Sequence, residues 1–445
     1  MVEYLIVGSG FTAATLCYHL VDAGIQPNSI NIVGPTKLGY GNAFNCMNDN
    51  YRLNVRSEIM WIDPNNKLEF TNWAKKNIID EEAYHEAGNF YKRSDFGRFV
   101  HSKINKLIEK GQLLHKKEIV KKIYKDKSGT WTSSLGDNTK IFSKNIILAT
   151  GNPTPKWPFA LDKSAITQNK NLVENPWNGN WIKLIHKNDN ILLIGSGLTS
   201  LDCIASLKSI DHKGEIHVVS PSGKFPPANS KWERKKIPIW PYENNNNRIL
   251  PSNFLNFIKN YLPSKPVESS EWQSAWEELR QNINDNWKKL PDKGKLSFKK
   301  KLNSTWSRYR YRASPQSIID LIEFQKNQKL FMHKGKVKNI IQNKNTIILT
   351  IGDRKSINVD KIINCSGKGE DKLAKQIIKS KIGFSDIFNE TLEVDDKFRV
   401  LRFGGKPNKG LYMISPNLTS KFGDIVAANS LATQSIHLAS ILSYS

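Results

Sequence analysis

Two glycine motifs with the same spacing lie in this sequence, one at its beginning and one near its middle. They are Gly8-Ser-Gly10-Phe-Thr-Ala13 and Gly195-Ser-Gly197-Leu-Thr-Ser200, each between an apolar strand and an apolar helix. In that context the first glycine allows a tight turn, and the second lets the backbone approach a pyrophosphate. The third small residue lets the helix pack closely. The helix N-terminus then offers N–H groups and a partial positive charge to the anion. Two motifs predict two bound dinucleotides, a flavin and the nicotinamide that reduces it.

The predicted pyrophosphate-binding residues are the members of these motifs. They are Gly8, Ser9, Gly10, Phe11, Thr12 and Ala13 for FAD, and Gly195, Ser196, Gly197, Leu198, Thr199 and Ser200 for the nicotinamide cofactor. The acid that usually binds the ribose hydroxyls after the second strand of such a unit is absent from both. Thr36 or backbone groups must replace it in the first unit. In the second, Ser220, Ser222 and Lys224 could hold a 2′-phosphate, which favours NADPH and leaves NADH possible.

The elements that must position these motifs repeat along the chain. Apolar strands and helices alternate over residues 2–33, resume at 191–219, and are followed by an irregular stretch rich in tryptophan and lysine. We predict an α/β protein with two Rossmann-like dinucleotide-binding domains, the second inserted in the first, plus a mostly helical insertion. The predicted FAD-binding domain comprises 1–155 and 360–445, and the NAD(P)-binding domain 156–359, with the insertion at 222–315.

Finer elements are predicted from periodicity and turn residues. Residues 113–142 are expected to form a small antiparallel meander, and 268–302 to be helical. A long helix is expected from Asp424 to Leu442. The tryptophans of the insertion are expected to pack in its core, with a substrate platform as the alternative.

Charge and cysteine usage exclude several classes of protein. The formal net charge is +25, but lysine far outweighs arginine and no nucleic-acid recognition motif is present, so we expect only attraction of anionic cofactors or substrates. The four cysteines show neither metal-ligand spacing nor a C-x-x-C pair, so we predict no metal site and no electron transfer to a disulfide. No apolar stretch is long enough for a membrane span, and the first strand begins at Val2, so we expect a cytoplasmic protein.

Several further motifs occur in a fixed order between and after the glycine motifs. They are Gly39-x-Gly41-x-Ala43-Phe44, Leu53-Asn54-Val55, Ala149-Thr150-Gly151, Trp306 through Arg310-Tyr-Arg312 to Pro315, Asn364-Cys-Ser-Gly367, and Gly423-Asp424. With them, nearly the whole chain resembles the two-dinucleotide-binding flavoproteins that include flavin-containing monooxygenases and amine N-hydroxylases. It is most similar to bacterial FAD/NAD(P)-binding proteins grouped beside the siderophore N-hydroxylases.

The resemblance implies roles for residues outside the glycine motifs. Leu53, Asn54 and Val55 would line the flavin ring, with Asn54 the best candidate for chemistry and a turn-capping asparagine as its alternative. Thr150, Gly151, Ser366 and Gly367 would be the crossovers between domains and contact FAD. Gly423, Asp424 and Ile425 would lie at the start of the last helix beside the flavin pyrimidine, where Asp424 is expected to cap the helix rather than act as a base. From the residues alone, Arg310 and Arg312 lie in a basic and aromatic run and could reach the 2′-phosphate or an anionic substrate, with plain surface charge as the alternative.

These features predict an NADPH-dependent flavin monooxygenase acting on a small molecule. In such enzymes NADPH reduces the flavin, O₂ adds at C4a to give a hydroperoxide, and a nucleophilic nitrogen or sulfur takes the distal oxygen. Two alternatives stay open: an NAD(P)H-flavin dehydrogenase or reductase without oxygen insertion, and a non-catalytic dinucleotide-sensing protein.

Overall fold

The computed structural model describes residues 1–45, 48–159, 170–240, 250–342, 347–351 and 355–444. The strands are β1 (Val2–Val7), β2 (Ile30–Val33), β3 (Leu114–Lys116), β4 (Val120–Lys125), β5 (Trp131–Leu135), β6 (Lys140–Leu148), β7 (Leu172–Val173), β8 (Ile191–Ile194), β9 (Ile216–Ser220), β10 (Leu330–Lys334), β11 (Val337–Gln342), β12 (Ile347–Ile351), β13 (Lys355–Val359), β14 (Lys361–Asn364), β15 (Arg399–Leu401) and β16 (Pro407–Met413). The α-helices are α1 (Phe11–Asp22), α2 (Gly41–Phe44), α3 (Glu69–Asn77), α4 (Arg93–Glu109), α5 (Leu198–Ser209), α6 (Pro251–Tyr261), α7 (Ser270–Leu279), α8 (Ile283–Lys289), α9 (Asp292–Arg310), α10 (Pro315–Lys326), α11 (Lys372–Lys379), α12 (Thr419–Phe422) and α13 (Ala428–Ser443).

The first sheet is built around β1, which is buried between two parallel neighbours. Val7 lies opposite Val33 of β2 and opposite Leu148 of β6. The strand order is β15-β16-β6-β1-β2-β3, and helix α1 packs against α13 beside this sheet. The carboxyl ends of β1, β2 and β6 therefore meet at one edge, where ligands bind in open parallel sheets.

The predicted meander is only partly right. Strands β4, β5 and β6 form antiparallel pairs, but β3 pairs in parallel with β2 at the edge of the first sheet. The short β3 is mostly exposed and shows no alternation, so periodicity alone could not assign its partner.

The second sheet is parallel throughout, in the order β10-β9-β8-β14-β7. Strand β14 lies here, paired with β8, although the predicted boundary at 359/360 assigned it to the first domain. The boundary is therefore moved to a position after Cys365, which packs in the core of the second sheet. All four residues of β14 are buried, but only Ile362 and Ile363 are apolar, and so short an apolar segment does not specify which sheet it joins.

The insertion is helical, and it has its own apolar core. The stretch predicted as helical at 268–302 is divided into α7, α8 and α9. Trp272, Trp276 and Trp287 are buried there with Phe254 and Phe298. Trp272 and Trp276 thus pack in the core, as predicted, whereas Trp287 and the partly buried Trp306 also line the cleft described below. Strands β11, β12 and β13 form a separate antiparallel sheet that packs on the second domain.

The last helix begins four residues later than predicted, at Ala428 rather than Asp424. The intervening residues are not helical, so Asp424 is not its N-cap. The predicted capping role is therefore wrong, and the side chain has other partners.

Candidate active site

A cleft of about 1060 Å³ lies where the carboxyl ends of the two parallel sheets face the insertion. Both glycine motifs open into it, and helices α8 and α9 contribute to its wall. Because the two motifs share one cleft, ligands bound at each would lie next to each other.

The first glycine of each motif is required by the same close contact. Gly8 has φ +127°, and a Cβ there would lie 2.1 Å from the carbonyl oxygen of Ala149. Gly195 has φ +107°, and its Cβ would lie 2.4 Å from the carbonyl oxygen of Cys365. Each turn therefore packs directly against the residue that follows a neighbouring strand, which is β6 for Gly8 and β14 for Gly195. A Cβ on Gly197, in contrast, would meet nothing within 4 Å, so this position is open to a ligand, as a dinucleotide cradle requires.

Hydroxyl pairs occupy the places where acids were missing from the sequence. The Oγ atoms of Ser9 and Thr36 lie 2.8 Å apart, and the Ser196 hydroxyl donates to Ser220 Oγ at 2.8 Å. Each pair joins the second residue of a glycine motif to the end of the second strand, and all four residues line the cleft. These sites present neutral hydroxyls, which do not repel a phosphate as a carboxylate would.

Leu53, Asn54 and Val55 line the cleft together, on the side of the first domain. The Asn54 carbonyl accepts a 3.0 Å hydrogen bond from the Asn229 side chain. The Asn54 side-chain amide makes no hydrogen bond to any described residue, so it does not cap a turn there. It is free to bond a molecule in the cleft.

The two crossovers also reach the cleft, through Thr150, Gly151, Ser366 and Gly367. Thr150 Oγ1 donates to Asp371 Oδ2 at 2.9 Å, and Asp371 caps helix α11. Ser366 Oγ donates to Asn364 Oδ1 at 2.6 Å. Hydrogen bonds thus fix the two backbones that the glycine turns pack upon.

Four predicted site residues do not line the cleft: Ala13, Ser200, Arg312 and Ile425. Ala13 and Ser200 are completely buried between helix and strand, because the third small residue of the motif serves packing. Ile425 is also in the core. The remaining predicted residues do line it, among them Lys224, Arg310, Gly423 and Asp424.

Asp424 is held by two arginines of the insertion. Arg280 Nε donates to one carboxylate oxygen at 2.8 Å, and Arg310 Nε donates to the other at 2.7 Å. Burial alone would raise the pKa of Asp424, but the two guanidinium groups lower it to about 2. The carboxylate is therefore ionised at neutral pH and does not act as a base. Arg310 is not surface charge either, since it is only 7% exposed.

Arg312 belongs to the same network but lies behind the cleft wall. Its Nη1 atom is 3.1 Å from Glu277, which Arg280 also contacts at 3.0 Å. Burial would raise the pKa of Glu277, but Arg280 and Arg312 lower it to about 2. The prediction that Arg312 reaches a ligand is therefore wrong, because its partner is a buried carboxylate.

An ion pair between the domains was not found from the sequence. Arg93, at the start of α4, lies 2.9 Å from Asp202 of α5, and both line the cleft. Burial raises the pKa of Asp202 to about 6, against the opposing effect of Arg93. The signal in the sequence was a carboxylate within an otherwise apolar helix.

A second charged group at the cleft was also missed. Glu390 lies between Lys299 at 2.7 Å and Lys368 at 3.2 Å, and Lys368 also donates to Asn417 at 2.8 Å. All four line the cleft. They come from the insertion and from three separate C-terminal loops, so no local motif marks them.

Two cysteines with no motif spacing meet in the second domain. The Sγ atoms of Cys203 and Cys365 lie 3.7 Å apart, and both residues are buried. Burial, with the neighbouring thiol, raises the pKa of Cys203, which keeps it protonated and a poor nucleophile. Both cysteines are free thiols, and their proximity could not be found from their spacing in the sequence. Cys46 lies outside the described residues.

Neither metal ligation nor membrane insertion is indicated by the described residues. Within them, no group of three or more His, Cys, Asp or Glu side chains is placed to hold a metal ion. Their helices include none with the length and hydropathy needed to cross a membrane.

Comparison with known proteins supports the fold. Residues 5–153 match the model of a family described as FAD-NAD(P)-binding, and no curated protein matches the sequence. The N-terminal FAD/NAD(P)-binding region that the motifs predict is thus confirmed.

Solved structures with this fold cover the whole chain. The chain is similar to an ornithine N-hydroxylase from Kutzneria sp. 744, with reduced FAD, NADP⁺ and L-ornithine (TM-score 0.67, 12% identity, 99% of each chain). It is also similar to a reduced ornithine hydroxylase from Pseudomonas aeruginosa, with a TM-score of 0.67 and 12% identity over 100% of this chain and 99% of that one. A third similar structure is an FAD-bound cadaverine monooxygenase from Erwinia amylovora, with a TM-score of 0.62 and 12% identity over 98% of this chain and 94% of that one. The predicted fold class is therefore confirmed.

Proposed function

We propose that this chain is an FAD-dependent, NADPH-consuming monooxygenase that oxygenates a nitrogen or sulfur of a small molecule. The observation that carries the proposal is the single cleft into which both glycine motifs open. A hydride donor at one motif and a flavin at the other would meet inside it. The structural similarity to ornithine and cadaverine hydroxylases favours a primary amine as the substrate.

The residues of the cleft fit the two dinucleotides. The Gly8 turn and the N-terminus of α1 would bind the FAD pyrophosphate, and the Gly195 turn with α5 would bind that of NADPH. Ser220, Ser222 and Lys224 would hold the 2′-phosphate, because no carboxylate stands at that strand end to repel it. When bound, FAD supplies electron transfer from NADPH and the activation of O₂.

The protein's own contribution is to bind, orient and exclude water. The unpaired amide of Asn54 would hydrogen-bond the nicotinamide or the oxygen co-substrate, and Leu53 and Val55 would provide apolar contacts. Helices α8 and α9 close one side of the cleft, which limits the access of water to the reacting centre. Asn54 is therefore the residue proposed to touch the reacting atoms.

An absorbance experiment tests the proposal. Purified protein loaded with FAD is mixed with NADPH, then with NADH, in air and under nitrogen, in the presence of ornithine or cadaverine. We expect NADPH to bleach the visible absorbance of the bound flavin under nitrogen. On aeration we expect a transient near-ultraviolet band and a hydroxylated amine detectable by mass spectrometry. Asn54→Ala should bind FAD normally but shorten the life of the transient band.

Two outcomes would contradict the proposal. In the first, the flavin is reoxidised without the transient band, and every reducing equivalent is recovered as hydrogen peroxide for each amine and thioether tried. That result indicates a reductase or oxidase. A protein that takes up neither FAD nor NADPH indicates a binding role without catalysis.

A further inference from the structure

The wall of the cleft contributed by the insertion carries more positive than negative buried charge. Four arginines meet two carboxylates there: Arg234, Arg280, Arg310 and Arg312 around Glu277 and Asp424. Both carboxylates are fully paired and less than 5% exposed. Arg234 is 41% exposed, so three buried guanidinium groups face the two carboxylates, and the buried part of the network has one excess positive charge. Buried charges need partners, so the network lacks an anion.

The orientation of Arg310 indicates where that anion would bind. Its Nε atom is used by Asp424, whereas its Nη1 and Nη2 atoms donate to none of the described residues. The side chain is only 7% exposed, and it lines the cleft. A buried guanidinium is thus anchored by its inner nitrogen and presents its two outer nitrogens to the cleft.

The neighbouring arginines keep this arrangement rigid. Arg280 donates through Nε to Asp424 and through Nη1 to both oxygens of Glu277, at 3.0 Å each. Arg312 lies behind them, with its Nε and Nη2 atoms buried and without a hydrogen-bond partner. Its charge adds to the positive potential at Arg310 without competing for the ligand.

We propose that Arg310, supported by Arg280, is an anion-binding site of the cleft that takes a carboxylate or a phosphate through two parallel N–H···O bonds. The planar outer edge of a guanidinium matches the paired oxygens of these two groups, which a lysine ammonium does not. The anion has two possible sources: the 2′-phosphate of NADP, which Arg310 would then hold in place of Ser220, Ser222 and Lys224, or a carboxylate carried by the small-molecule substrate. Anion binding at Arg310 does not depend on the oxygenation step.

Binding to the FAD-loaded protein, without turnover, tests the site. Affinities are measured calorimetrically for two pairs of probes, NADP⁺ with NAD⁺ and lysine with cadaverine, each pair differing by a single anionic group. Arg310→Lys retains the charge beside Asp424, and Arg310→Met removes it. Lys300→Met is the matched control, because Lys300 lies exposed on the same helix outside the cleft. Inorganic phosphate and acetate are titrated against each variant as simple anions.

We expect Arg310→Lys to weaken one anionic probe roughly 10- to 100-fold, the value of one lost charge-assisted bidentate contact. Its neutral counterpart should bind unchanged. Loss for NADP⁺ assigns the site to the cofactor phosphate, and loss for lysine or acetate assigns it to a substrate carboxylate. Unchanged binding of all probes by folded, FAD-loaded Arg310→Lys and Arg310→Met would overturn the proposal. So would a shift in flavin reduction potential as the only effect, which would place Arg310 at the flavin instead.

Discussion

Replacing Asp424 with alanine distinguishes a buried ionic partner from a helix cap. The carboxylate is 4% exposed and accepts from Arg280 at 2.8 Å and from Arg310 at 2.7 Å. Removing it leaves two buried guanidinium groups without their shared partner, a change that costs about 3–5 kcal/mol of unfolding free energy. Loss of a helix cap costs only about 1 kcal/mol. Urea unfolding followed by tryptophan fluorescence measures the difference, because Trp272, Trp276 and Trp287 lie in the insertion core.

The matched control is Ser269→Ala, which removes a true N-cap. The Ser269 hydroxyl accepts from the backbone N–H of Trp272 at the start of α7. We expect this variant to lose about 1 kcal/mol. Equal losses for Asp424→Ala and Ser269→Ala would refute the assignment of Asp424 as a buried ionic partner.

The pH dependence of the same variant adds a second test. The arginines lower the pKa of Asp424 from 3.8 to about 2. The unfolded carboxyl therefore binds a proton at a higher pH than the folded one. Its stabilising contribution is complete above pH 4 and is lost as pH falls through 2. The difference in unfolding free energy between the native protein and Asp424→Ala should accordingly shrink only below pH 4.

Three further predictions follow from the site. Burial raises the pKa of Asp202 from 3.8 to about 6, so the folded protein binds this proton more tightly, and stability falls as pH rises from 4 to 6. In urea titrations, Asp202→Asn should reduce the change in unfolding free energy between pH 4 and pH 6 by about 3 kcal/mol. An identical pH profile of stability in both proteins would disprove this prediction. Gly8→Ala places a Cβ 2.1 Å from a carbonyl oxygen and should abolish retention of FAD on gel filtration, whereas Gly111→Ala, with open space around it, should retain FAD fully. Cys203 should be labelled by maleimide only after unfolding, as followed by peptide mass spectrometry, and rapid labelling in the folded protein would contradict its burial.

What the sequence predicted well depends on local rules. A turn that needs positive φ and a close backbone contact accepts only glycine, so Gly8 and Gly195 marked their turns without any tertiary knowledge. The apolar periods after each motif located α1 and α5, and the repetition of the unit predicted two domains. Asn54 and the crossovers at Thr150 and Ser366 were placed through the resemblance, and the structure brings them to the same cleft.

The errors arose where a residue's partner is distant in the chain. Gly423-Asp424 before an apolar helix has the local features of a cap, but the helix begins only at Ala428. The partners of Asp424, Arg310 and Arg280, are 114 and 144 residues away. Strand β14 is similarly ambiguous, since its two isoleucines could be buried in either sheet.

The sequence by itself thus determined the two glycine turns and the strands and helices that carry them, and it predicted the class of ligand that these turns would accept. Those features follow from backbone conformation and from periodicity over a few residues. The tertiary structure alone decided the chemistry of the cleft wall: the arginine network around Asp424 and Glu277, and the pair of Arg93 with Asp202. Such pairings are set by how the two sheets and the insertion dock, and docking depends on packing between segments that are far apart in the chain.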